Sequence, residues 1–153
     1  MARFAIGYLS PGTTITDLAF AIYDAEPWVF ALVTSRMHMA WLRTVGGKLK
    51  TDFRYSNTLV YNTFPVPNLT AAQKEMLTQR ALRVLDVREY HSENTMAELY
   101  DPDLMPDNLR LAHKELDDAV DALYRKSGFA SDEDRLALLF DLYVQKTSAK
   151  ESA

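Results

Sequence analysis

Two prolines separated by one residue, in Phe64-Pro65-Val66-Pro67, constrain this chain most. Each X-Pro step removes a backbone donor and holds the preceding residue extended. Neither a continuous helix nor a central strand can therefore cross this point. The two sides read differently. Before the prolines the signals mix strand and helix; after them they are helical almost throughout. The expected fold class is α+β: an N-terminal mixed strand/helix fragment over residues 1–67, followed by a small antiparallel α-helical bundle over residues 68–153.

In the first part, Arg3 to Leu9 reads as a strand closed by the Ser10-Pro11-Gly12 turn, and Thr13 to Tyr23 as a second strand. Asp24 to Pro27 has the acidic first turn and early proline of a helix start. One helix is expected from there to about Thr44, because Val29, Phe30, Val33, Met37, Ala40 and Trp41 recur at helical spacing. Gly46-Gly47 ends it. Lys50 to Tyr61 reads as one or two extended pieces.

The second part is punctuated by caps. Thr70 with Gln73 forms a capping box, and Met76, Leu77, Ala81, Leu82 and Leu85 make the buried stripe that follows. A short helix spans Thr95 to Tyr100. Pro106-Asp107-Asn108 opens a third, with Leu109, Ala112, Leu116, Val120 and Leu123 facing inward, and Ser127-Gly128 ends it. Ser131 with Asp134 starts the last helix, with Phe129 as its staple and Leu136, Leu139, Phe140 and Tyr143 as its core face.

Composition excludes several function classes. With no cysteine among 153 residues, the chain has no disulfide framework, thiolate zinc site or cysteine nucleophile. No apolar run is long enough to span a membrane, and the N-terminus does not read as a signal peptide, so no membrane partner and a cytoplasmic location are expected. Gly46-Gly47-Lys48 lacks the spacing of a phosphate-binding loop. His38, His91 and His113 form no metal motif. His113 and Asp117 are four apart and read as a surface hydrogen bond, while Asp117-Asp118-Asp121 and Asp132-Glu133-Asp134 read as a solvated face and a helix N-terminus. A scatter of His, Ser and Asp is the only support for a hydrolase.

The net charge of −4 hides a division. Residues 1–67 hold six Lys/Arg against four Asp/Glu, and the remainder holds eleven against seventeen. Residues 34–54 hold five basic residues and one acid. Nucleic-acid binding depends on such a local field rather than on net charge. Lys48, Lys50, Asp52 and Arg54 recur at period two, so an extended segment would carry all four on one face. Lysine donates to guanine O6 and N7, and aspartate accepts from cytosine N4. Lys50 and Asp52 could thus read one G·C pair. Arg36, Arg43, Lys48 and Arg54 suit phosphates, which fix register without carrying sequence. The same spacing equally describes a solvated strand face with an internal Lys–Asp pair.

Those residues also carry a resemblance. Ser35 to Trp41, Gly46 to Ser56 and Val60 to Pro67 resemble the end of the target-recognition region of MmeI-type bacterial DNA methyltransferases and type II restriction–modification enzymes. Met96 to Pro106, with Leu109-Arg110, Ala112-His113 and Leu116-Asp117, resembles the family's C-terminal helical domain. The resemblance implies N6-adenine methylation of a defined DNA sequence with S-adenosylmethionine. This chain has no Asn-Pro-Pro-aromatic tetrad and no glycine-rich donor motif, so it is not catalytic alone and no cofactor is expected in it. The implied partners are double-stranded DNA and a missing methyltransferase domain or subunit. Lys50 and Asp52 match the base-reading positions, and Arg54, Tyr55, Ser56 and Asn57 the adjoining mix of backbone contact and scaffold. A different class of function, a protein–protein module that docks to a separate methyltransferase subunit or self-associates as a homo-oligomer, rests on strand edges and apolar surface left uncovered.

Overall fold

The computed structural model describes residues 6–8, 26–45 and 63–151 in full, and the backbone of 48–49 and 52–53. The order is α1 (Pro27–Thr34), α2 (Arg36–Val45), β1 (Lys48–Leu49), β2 (Asp52–Phe53), α3 (Ala71–Tyr90), α4 (Met96–Leu99), α5 (Asp107–Tyr124) and α6 (Asp132–Glu151). The α+β expectation is corrected. Among the described residues the architecture is helical, and the only pairing is a ladder of two residues per strand, which forms no sheet layer. The first expected strand fails where it is visible. Residues 6–8 have no regular structure, and the Ile6 carbonyl accepts from Arg88 Nη1 at 2.7 Å instead of from a strand neighbour. The second expected strand, Thr13 to Tyr23, lies outside the described residues, as do Gly46 and Gly47.

The single helix expected up to Thr44 is two helices broken at Ser35. Ser35 is extended, with φ −71° and ψ 157°. Its hydroxyl donates to the Leu32 carbonyl at 2.6 Å and accepts from the His38 N–H at 3.2 Å, so one side chain closes α1 and caps α2. The Arg36 N–H, left without an intrahelical acceptor at the start of α2, donates to Asp117 Oδ1 at 2.9 Å. The break therefore depends on a residue of α5, distant in sequence.

The helix starts after the prolines match the caps. Gln73 N–H donates to Thr70 Oγ1 at 3.1 Å and Thr70 N–H to Gln73 Oε1 at 2.9 Å. Thr95 and Glu98 repeat this at 3.2 and 2.8 Å, and Ser131 Oγ accepts from Asp134 N–H at 3.1 Å. Gly128, at φ +76°, makes the turn between α5 and α6.

One hydrophobic core serves both sides of the prolines. Phe30 and Leu32 of α1 and Met37, Trp41 and Leu42 of α2 join Leu77 and Val84 of α3, Leu109, Leu116 and Val120 of α5 and Leu139 of α6. Helix α1 is apolar around most of its circumference, as a helix enclosed by neighbours must be. Each fully buried leucine contributes roughly 1.5–3 kcal/mol. Helix α6 departs from expectation. Leu139 is buried, but Phe140 and Tyr143 lie at the margin, 41% and 36% exposed, against the Trp41 ring. On α3, Val84 and Val87 are buried where Leu82 was expected to be.

Candidate nucleic-acid interface

The fold aims the basic segment through α2. Three residues after α2 ends at Val45, β1 begins, and β1 pairs antiparallel with β2 in the register Lys48↔Phe53 and Leu49↔Asp52. The chain direction therefore reverses between Leu49 and Asp52. Lys48 and Asp52 stand on opposite strands of a hairpin rather than along one extended strand, which corrects the geometry assumed from period two. A two-stranded ribbon is nonetheless one of the elements that a DNA major groove admits. Lys50, Arg54, Tyr55, Ser56 and Asn57 lie outside the described residues.

Arg36 and Arg43 are placed in full. Arg36 Nε donates to Asp132 Oδ1 at 2.9 Å, and Arg43 Nη1 lies 3.5 Å from Asp132 Oδ2. The same carboxylate receives Arg135 Nη1 at 3.1 Å. Arg135 in turn grips Asp121, with Nε to Oδ1 at 3.1 Å and Nη2 to Oδ2 at 2.6 Å. Both side chains of that pair are under 10% exposed. Three arginines and the carboxylates of Asp117, Asp121 and Asp132 thus join α2, α5 and α6. Arg36 keeps 42% of its side-chain surface exposed. Beside this network, Arg125 makes two hydrogen bonds to Asp134, at 3.0 and 3.2 Å. These bonds and the Ala130 N–H hold the Asp134 carboxyl below its usual range.

Asp117 and Asp121, expected on a solvated face, and Asp132, expected only in a helix N-terminal turn, instead build this network. Their spacing did hold a signal. Asp117 and Asp121 each follow a core residue, Leu116 and Val120, and Arg135 lies one turn before the buried Leu139. All three flank an apolar stripe.

The other candidate polar groups are structural. His113 is buried rather than on the surface, with Nε2 2.6 Å from the Tyr100 hydroxyl. That hydroxyl accepts from Arg88 Nε at 2.7 Å and also from Arg88 Nη2. His38 is fully buried against the Phe64 ring at 4.6 Å, and burial pushes its pKa down to about 3. Burial raises the Tyr124 phenol, whose hydroxyl donates to the Pro65 carbonyl at 2.7 Å. Among the described residues no cluster of three or more His, Asp or Glu could hold a metal, and no helix is long and apolar enough to cross a membrane.

The residues before and after the prolines match two adjoining family profiles. One, described as the MmeI target recognition domain, covers residues 4–68; the other, the MmeI C-terminal domain, covers residues 69–150. DNA methyltransferase A of Bacillus subtilis (strain 168) is 45% identical over 147 residues, 95% of this chain. A solved structure of the Type IIL restriction-modification enzyme MmeI in complex with DNA aligns at 42% identity over 82% of this chain, with a TM-score of 0.78. The chain spans 17% of the length of each of these proteins. It belongs to the MmeI family, of which it carries the target recognition and C-terminal domains.

Proposed function

We propose that this chain is the DNA sequence-recognition and C-terminal helical portion of a site-specific N6-adenine DNA methyltransferase or restriction–modification protein, divided near residues 67 and 68. The observation that carries this reading is the continuous match across both family segments, with a structural relative solved on DNA. Lys50 and Asp52 read a base pair. Lys48, Arg54, Tyr55, Ser56 and Asn57 hold the backbone or support the hairpin. The charges of Arg36 and Arg43 also suit phosphate contacts. Their pairing with Asp132 favours a positioning role for both.

Methyl transfer belongs, on this reading, to the portion of the relatives that this chain does not match. S-adenosylmethionine would bind there, on a partner domain or subunit. A groove of about 290 Å³ lined by Arg83, Asp86, Val87, Tyr90 and Asn108 has no glycine in its lining for a nucleoside donor.

The salt dependence of binding tests the assignment. Each phosphate neutralised contributes about −0.9 to the log–log slope, so Lys48 and Arg54 acting without Arg36 and Arg43 give about −2, and all four give roughly −3.5. Titrations of this chain at several salt concentrations, on a duplex selected from a random library and on its scrambled counterpart, should give the shallower slope and unequal affinities. Equal affinities would leave only charge attraction. Replacing Lys50 or Asp52 with alanine should cost about 1–3 kcal/mol at one base-pair position and leave the others unchanged, which competition with single-position variant duplexes would show.

A further inference from the structure

We propose that Asp132 is a positioning residue for sequence reading, holding α2, and with it the hairpin, in one orientation against the C-terminal helices. This rests on the DNA-reading role proposed above. Asp132 is the first residue of α6, and its two oxygens receive Arg36 at 2.9 Å, Arg43 at 3.5 Å and Arg135 at 3.1 Å. Arg36 and Arg43 lie near opposite ends of α2, so one carboxylate fixes both the rotation of the helix about its axis and its tilt. Asp117 adds a third point by accepting the Arg36 N–H at 2.9 Å. Asp132 itself is held from behind by Arg135, which is locked to the buried Asp121. The hairpin starts three residues beyond the end of α2, so the orientation of α2 sets where the hairpin begins.

Base reading needs this kind of support. A hydrogen bond to a base edge tolerates an error of only a fraction of an ångström, and a contact set on a short hairpin is as accurate as the element it springs from. Contacts to phosphate are more forgiving, because charge attraction varies slowly with distance. Loosening α2 should therefore erode discrimination between sequences before it erodes general affinity.

The test exploits the absence of cysteine from the sequence. Cysteines introduced by Thr51→Cys and by Ser127→Cys, the latter at an exposed site between α5 and α6, accept spin labels whose separation reports hairpin placement without DNA. The parent should give one narrow distance distribution. Asp132→Asn should broaden or shift it with the helices still folded by circular dichroism, and Asp132→Glu should restore it in large part. Asp118→Asn, which removes the surface pair with Lys114, should change nothing. On the selected and scrambled duplexes, Asp132→Asn should lower the affinity ratio about tenfold, the scale of one lost base contact, with a smaller effect on scrambled DNA. An unchanged distance distribution in folded Asp132→Asn would overturn the proposal. So would a rise in affinity for both duplexes with the ratio preserved, because Asp132 would then merely withhold two arginines from phosphate. If the parent favours no duplex, the DNA-reading role fails, and the label distances still decide whether Asp132 positions the hairpin.

Discussion

Replacing Arg135 with methionine is expected to destabilise this chain by about 3–5 kcal/mol, the cost of leaving a buried charge without its partner. Arg135 and Asp121 are 6% and 8% exposed, and the guanidinium meets both carboxylate oxygens. Methionine fills much of the volume and removes every donor, so the Asp121 carboxylate must stay charged without compensation or take up a proton. A domain of this size is stable by about 5–15 kcal/mol, so the loss is a large part of the whole. Replacing Asp121 with leucine in the same chain should recover most of it, since a well-packed apolar pair is often as stable as the ion pair it replaces. Urea denaturation of the single and double variants checks both statements. A loss under about 1 kcal/mol in the single variant would mean that water reaches Asp121.

Acidification provides the second large effect. The imidazole of His38 is held neutral by burial, with its pKa lowered to about 3 from the ordinary 6.5. In the unfolded chain His38 takes up a proton as the pH falls through about 6.5, and in the folded chain it does not until about 3. The unfolded state therefore binds more protons across that window. The stability associated with neutral His38 is fully present above pH 6.5 and is lost as the pH falls from there towards 3. The loss is about 2 kcal/mol at pH 5 and about 5 kcal/mol below pH 3. Asp134, whose carboxyl is held low, loses its contribution only in the more acidic part of the range. Melting curves from pH 7 to pH 5 should show the decline. His38→Gln, which cannot titrate, should flatten it whatever its own stability at pH 7. An equal decline in both proteins would assign the effect to other groups.

The parts of this fold legible in the sequence are those set by local chemistry. The caps at Thr70, Thr95 and Ser131 work through side chains within three residues of the N–H groups they satisfy, so spacing alone locates them. The inward face of α5 follows from periodicity. The break at Ser35 was not legible, because apolar residues continue at helical spacing on both sides and Asp117, from another helix, takes the Arg36 N–H. The pairing of Arg36 and Arg43 was not legible for the same reason. Their acceptor, Asp132, is roughly ninety residues away and read as an ordinary acidic first turn. Alternation also misled, because period two does not distinguish one long strand from two short ones that reverse, and the pairing of Leu49 with Asp52 shows the second. The family resemblance was carried by strings on both sides of the prolines, and both family profiles match there. The assignment of Lys50 and Asp52 to bases rests on that resemblance and on the donors and acceptors these side chains offer.

That assignment is tested most directly by parallel selections from a library of randomised duplexes, using the parent chain and a variant in which Lys50 and Asp52 are exchanged. The two selected sequences should agree except at a single base pair, where the exchange alters the preferred base. Identical preferences, or differences scattered over many positions, would contradict it.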